Sequence, residues 1–187
     1  MFKYIVLFLI LTNPVFAGGI KSNTETLILS QFQDDVSLSF EKYLLPQDLK
    51  IEVEKFCRQR FYRDQIYVWQ IFQNEKPIAF AILDNVMGKA MPITFLVIFD
   101  THGTLLFADI IKYREAIGGA ITNRRWLRQF EGWKAENVRT EMPKIDGISG
   151  ATISVNAVAK GVQKLTLLFP EITNQIREIQ QKTQVVE

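Results

Sequence analysis

The nine residues from Asp146 to Ser154, Asp-Gly-Ile-Ser-Gly-Ala-Thr-Ile-Ser, hold one carboxylate, three hydroxyls and two glycines. An apolar run, Val155 to Phe169, follows at once and reads as a helix. The first turn of a helix carries N–H groups with no partner inside the helix, and its dipole favours negative charge. Gly147 and Gly150 permit positive φ and close backbone approach. Ser149, Thr152 and Ser154 can each cap a helix N-terminus. On residue chemistry alone two readings stand: a capped helix start, or a nest that holds a phosphate beside the Thr152 hydroxyl. This is no P-loop, because the G-x-x-x-x-G-K-S/T spacing and its lysine are absent. No G-x-G-x-x-G follows a strand, so Rossmann-type dinucleotide binding has no support. A hydrolase built on Ser149 or Thr152 would lack both a histidine base and a G-x-S-x-G elbow.

The elements that would position these residues come earlier. Ile66–Gln73 alternates and is rich in Tyr, Trp and β-branched residues, the pattern of a strand. Asn74 to Pro77 is a turn, and Ile78–Val86 a second strand. Ile93–Phe99 is almost wholly apolar, so it is expected to be buried on both faces. Asp100-Thr101-His102-Gly103 turns the chain into a fourth strand, Thr104–Lys112. Asn123 can cap a short helix, Arg124–Phe130, which Gly132 ends. Lys134–Pro143 is polar without a clear period. Pro170 is expected to stop the helix that starts after the hydroxyl cluster, and Glu171–Gln181 to form a final one. Upstream, Leu27, Phe32, Val36, Phe40 and Leu44 recur at roughly helical spacing over Asn23–Leu45, and Gln47–Arg60 reads as another helix with Leu49, Val53 and Phe56 on one face. The expected fold class is α+β: an antiparallel β-sheet with packed helices and a helical N-terminal extension.

The chain has 187 residues, 48% hydrophobic and 22% charged, enough for a domain with a real core. A net charge of +2 sets up no strong field, so nucleic acid is not an expected partner. One cysteine, Cys57, cannot form an internal disulfide and is expected as a buried apolar residue. With His102 as the single histidine, metal sites and histidine-based triads are nearly excluded. At the N-terminus Lys3, the apolar run Tyr4–Leu11 and Val15-Phe16-Ala17 have the form of a secretory signal peptide cleaved after Ala17. The expected layout is residues 1–17 signal peptide, 18–64 helical extension and 65–187 the functional domain, in the periplasm and without a stable membrane span after cleavage; retention of the segment as an anchor is the alternative.

Asp146-x-x-Ser149-Gly150-Ala151-Thr152 resembles the D-x-x-S/T-G-A-T flavinylation motif of the FMN-binding domain family. Gly88-Lys89 with Pro92-Ile93-Thr94-Phe95 and Asp100-x-x-Gly103 is similar to that family's glycine-lysine turn and following hairpin. Tyr113-Arg114-Glu115 with Gly118, and then Arg125-Trp126-Leu127-x-Gln129-Phe130-x-Gly132, resemble its segments between the hairpin and the motif. The likeness runs in order from about Ala79 to Leu168. The family includes the FMN-carrying subunits of the Rnf and sodium-pumping NADH:quinone oxidoreductase complexes. Those members usually carry E-T-P-G-L-G after the fourth strand; here Glu115 is followed by Ala116-Ile117-Gly118-Gly119, which brings the chain nearer to stand-alone exported members.

The resemblance implies FMN joined through its phosphate to the hydroxyl of Thr152 by a separate flavin transferase. It makes Thr152, Asp146, Ser149, Gly150, Ala151 and Glu115 the expected cofactor-binding residues. Asp146 would serve modification or loop shape, Ser149 and Ser154 would shape the loop and cap the helix, and Arg114 and Glu115 would surround the flavin. Trp126 and Phe130 are expected in the core rather than on the flavin ring. Arg124, Arg125 and Arg128 share a helix that could meet an acidic partner. The implied function is an exported electron carrier, rather than an enzyme with its own substrate, relaying electrons between a membrane-bound redox partner and another acceptor. The alternative is a non-covalent module of the same fold that binds a phosphate-bearing ligand or a protein.

Overall fold

A computed structural model describes residues 19–33 and 35–184, with side chains to residue 178. The expected signal segment and its cleavage point lie outside the described residues. Five strands, β1 (Ser37–Leu44), β2 (Gln65–Gln73), β3 (Lys76–Met87), β4 (Pro92–Asp100) and β5 (Leu105–Lys112), form one sheet in the order β1-β2-β3-β4-β5. Every ladder is antiparallel. Five helices surround it: α1 (Ile20–Leu29), α2 (Gln47–Cys57), α3 (Arg124–Leu127), α4 (Ala135–Thr140) and α5 (Thr152–Gln184). The α+β class read from the pattern is the observed one.

Strand β4 is buried on both faces, which explains why it has no polar alternation. Phe80, Ile82, Phe95, Val97 and Phe99 point to one side and pack with Val158, Val162, Leu165 and Phe169 of α5. Trp69, Ala81, Leu83, Leu96 and Ile98 point to the other and pack with Ile28 of α1. At Gly161 helix and sheet come so close that a Cβ would lie 2.7 Å from Val86 Cγ1 and 2.9 Å from Phe95 Cζ.

Three stretches differ from the sequence expectation. The helix expected over Asn23–Leu45 ends at Leu29, and residues 37–44 are strand β1. Val36, Phe40 and Leu44 are spaced by four, which fits a period of two as well as a helical one, and pairing with β2 decides: Phe40 faces Trp69, with ring centroids 4.9 Å apart. In α2, Val53 and Cys57 are the buried residues, while Phe56 is 45% exposed. Residues 135–140, read as having no period, are helix α4, held by one buried side chain, Val138, whose carbonyl accepts from Gln163 Nε2 at 3.0 Å.

Pro170 does not stop the long helix, and the two expected helices are one, α5, of 33 residues. An internal proline costs about 3 kcal/mol through its lost N–H bond and ring clash. Ile172 and Ile176, buried beyond it, each return about 1.5–3 kcal/mol. Pro170 itself is exposed.

An ion pair is buried between α5 and the sheet. Lys164 is 0% and Asp84 3% exposed, with Nζ 3.6 Å from Oδ2. The ammonium donates to the Arg60 carbonyl at 3.0 Å and stands 3.9 Å from the Phe61 ring centroid. Burial raises the Asp84 carboxyl and lowers the Lys164 ammonium from their ordinary ranges. Cys57 is buried as expected, and burial pushes its thiol up to about 11. Among the described residues no helix is long and apolar enough to cross a membrane, and no cluster of His, Cys, Asp and Glu could hold a metal.

Candidate functional site

Three segments meet at one end of the sheet: the turn 88–91 before β4, residues 113–117 after β5, and the first turn of α5. Between them lies a cleft of about 540 Å³ whose wall includes Lys89, Met91, Arg114, Glu115, Ile117 and Thr152.

Glu115 ties the three together. One carboxylate oxygen accepts from the Ala90 and Met91 N–H groups at 2.7 and 3.3 Å. The other accepts from Ser154 Oγ at 2.9 Å and lies 3.2 Å from the Tyr113 hydroxyl. These donors, the Ala90 N–H foremost, hold the carboxyl below the usual carboxylate range. The Tyr113 hydroxyl donates to the Ile117 carbonyl at 2.6 Å and so closes the 113–117 loop. Two glycines make room for this network. A Cβ at Gly88 would lie 2.8 Å from Glu115 Oε1; at Gly118, where φ is +93°, it would lie 2.6 Å from the Tyr113 hydroxyl and 3.0 Å from Ala151 Cβ.

The loop leading to α5 is held from behind. Trp126 Nε1 donates to the Asp146 carbonyl at 2.9 Å, and the Asp146 N–H donates to Gln129 Oε1 at 2.9 Å. Asn123 Oδ1 caps α3 by accepting from the Arg125 N–H at 2.8 Å, which sets the helix that carries Trp126. Trp126 and Phe130 are core residues, as expected, edge to face with centroids 5.4 Å apart. Of the two glycines near the hydroxyls, Gly150 takes positive φ, +77°, and Gly147 does not.

Neither Ser149 nor Ser154 caps α5, contrary to expectation. The first helical bond runs from the Val155 N–H to the Ala151 carbonyl at 2.9 Å, so the cap position belongs to Ala151, which has no side-chain oxygen. Ser154, already inside the first turn, gives its proton to Glu115 instead. The N–H groups of Thr152, Ile153 and Ser154 thus stand ahead of the helix's own ladder. With no side-chain oxygen at the cap, they form a locus for an anion. Thr152 is exposed, and its hydroxyl is open to a modifying group.

Of the residues singled out from sequence, Glu115, Gly150, Ala151 and Thr152 line one cleft. Asp146 and Ser149 do not; both are exposed, and Asp146 lines a neighbouring depression with Trp126 and Gln129. Arg114 lines the cleft but sends its guanidinium to the Pro92 carbonyl (2.7 Å) and Thr94 Oγ1 (3.1 Å). Arg124 is engaged within the fold, 3.4 Å from Asp109 Oδ2 and 4.0 Å from the Phe107 ring centroid; Arg125 and Arg128 are exposed. Sequence reasoning missed the part of Gln129, whose amide fixes Asp146, because nothing in the spacing links positions 17 residues apart.

Residues 88–166 match the family model of the FMN-binding domain. The matched segment begins at the Gly88 turn and ends within α5, so it contains all three walls of the cleft. No curated protein matches the chain.

Proposed function

Starting from an FMN-binding domain at residues 88–166, we propose that this protein is an electron-transfer flavoprotein with FMN esterified through its phosphate to Thr152. The observation that carries the reading is the position of Thr152: exposed, in the first turn of a long helix, on the rim of a cleft. The residues fit the group. Phosphate would lie at the open N–H groups of α5, where a phosphodiester's single negative charge is favoured, with Lys89 in the same wall. Met91, Ile117 and Ile153, 44%, 74% and 53% exposed, border the cleft and give an apolar surface for the ring system. A volume of about 540 Å³ is in the range of small-ligand sites.

Bound flavin would supply the electron-carrying chemistry, while the chain supplies position and surroundings. Glu115 acts as a positioning residue, locking the 88–91 turn to α5. Asp146 stands outside the cleft and exposed, which suits a contact with the modifying transferase better than one with the ring. The signal-like N-terminus supports a periplasmic location, where a covalent tether keeps FMN from being lost. The transferase and a membrane-bound electron donor or acceptor are then the required partners.

Intact mass after co-expression with a flavin transferase tests the reading. An FMN-sized increase that disappears in Thr152→Ala is the expected result. Yellow colour that is lost on denaturation and filtration would instead favour non-covalent binding in the same cleft. No flavin in either form, or a mass increase that survives Thr152→Ala, would overturn it.

A further inference from the structure

Helix α1 covers the second face of the sheet only in part. Past its first turn lies another cavity, of about 450 Å³, formed by the outward residues of β1 to β4 and the 62–63 segment. Its chemistry is one-sided. Lys21, Lys42, Arg63 and Arg114 line it, and no carboxylate does. Lys21 has Glu25 at 3.6 Å, whereas Lys42, Arg63 and Arg114 form no ion pair among the described residues.

Four aromatic side chains, Phe40, Tyr62, Tyr67 and Trp69, stand in the same wall, with aliphatic and uncharged polar residues completing it. Phe40 stacks on Tyr67, with centroids 6.0 Å apart and planes 19° apart, and tilts against Trp69 at 4.9 Å. Lys21 Nζ stands 4.1 Å from the Phe40 ring centroid, and Trp69 Nε1 donates to Glu25 at 3.0 Å, so the rings are fixed before any ligand arrives. The opposite wall is equally ordered: Thr94 Oγ1 donates to Asn85 Oδ1 at 2.7 Å, and one terminal nitrogen of Arg114 is bonded to Pro92 and Thr94. Further N–H donors of that guanidinium remain for a ligand.

We propose that this cavity binds a planar aromatic anion. The ring lies along Phe40 and Tyr67, with the buried Trp69 behind them, and the carboxylate, sulfonate or phosphate faces Lys42, Arg63 and Arg114. An aliphatic anion would leave the ring wall uncovered, and a neutral ring would leave like charges facing one another. The site stands on the α1 side of the sheet and does not depend on flavin attachment. Arg114 lines both cavities, so an occupant would lie beside the flavin cleft.

Calorimetric titration of the full chain with anthraquinone-2,6-disulfonate, alongside tryptophan fluorescence, tests this. Saturable one-site binding with quenching is expected. Lys42→Glu with Arg63→Glu, both exposed positions, raises Kd at least tenfold, and an aliphatic disulfonate binds at least tenfold more weakly than the aromatic one. Thr152→Ala leaves Kd unchanged, whatever the fate of the flavin. Absence of saturable binding, equal affinity in the double variant, equal affinity for the aliphatic anion, or loss of binding in Thr152→Ala would each overturn the proposal.

Discussion

Ser154 Oγ donates a 2.9 Å hydrogen bond to Glu115 Oε2 and thereby joins the first turn of α5 to the segment that leaves β5. The same carboxylate holds the backbone of the 88–91 turn through Ala90. Pieces of chain 25 and 39 residues from Glu115 meet on one side chain, and the cleft exists because they do.

Glu115→Gln keeps the shape and removes the charge. At pH 7 the variant is expected to be less stable by on the order of 1 kcal/mol, a value reduced for solvent access. The folded carboxyl titrates below its ordinary value, so its contribution is complete above the unfolded pKa, about 4.3, and is lost as pH falls through the folded one. Urea unfolding at pH 7 and pH 3 checks this: the gap between wild type and variant closes at the lower pH. A gap of equal size at both values contradicts the role of the charge.

Thr152→Ala separates attachment from folding. The side chain is exposed and outside the core, so stability stays within about 0.5 kcal/mol of wild type. Covalent flavin disappears completely. Thermal melts and intact mass on the same preparations report the two effects side by side.

Lys164→Met leaves Asp84 alone under the sheet. Breaking a buried pair from one side costs about 3–5 kcal/mol. Adding Asp84→Leu recovers most of the loss, since no charge is left to desolvate. In Lys164→Met alone, Asp84 folds more readily protonated than ionised, so the deficit shrinks as pH falls toward 4–5. Denaturant midpoints for the two single variants and the double variant give the coupling directly.

Gly161→Ala sets two effects of opposite sign against each other. Helix propensity favours alanine by about 1 kcal/mol. The new methyl would press on Val86 and Phe95, both buried, and overpacking costs about 1–3 kcal/mol. Val86 is buried and β-branched, hence stiff at χ1, so net destabilisation is expected. Combining the change with Val86→Ala lowers the cost of the Gly161→Ala step, with the contact to Phe95 remaining, and a double-mutant cycle measures the difference.

Strands β2 to β5 were legible in the sequence because alternation and short turns are local signals. The helix start at Thr152 was legible because two glycines and three hydroxyls border a long apolar run, whereas the choice of Thr152 among those hydroxyls came from the resemblance to the flavinylation motif. The hub at Glu115 was not legible: its partners are backbone groups of Ala90 and Met91 and a serine on a distant helix, and no periodicity reports such a bond. Strand β1 was hidden because Phe40 and Leu44, four residues apart, satisfy both periods until β2 is there to pair with them. Pro170 misled for a related reason, since the burial that carries α5 past it belongs to the assembled core.

Every ladder of the sheet joins strands that are neighbours in the chain. From β2 to β5 such pairings close short loops and form fast, whereas β1 and β2 are separated by α2. Helix α5 has to wait for the sheet, because the helix packs against β3 and β4. The Thr152 hydroxyl enters its cleft only when α5 has docked on the sheet, since the cleft is built from segments that flank the strands and from the first turn of α5. A modifying enzyme that reads the cleft rather than the seven-residue string would sort finished chains from unfinished ones, and cofactor loading would double as quality control.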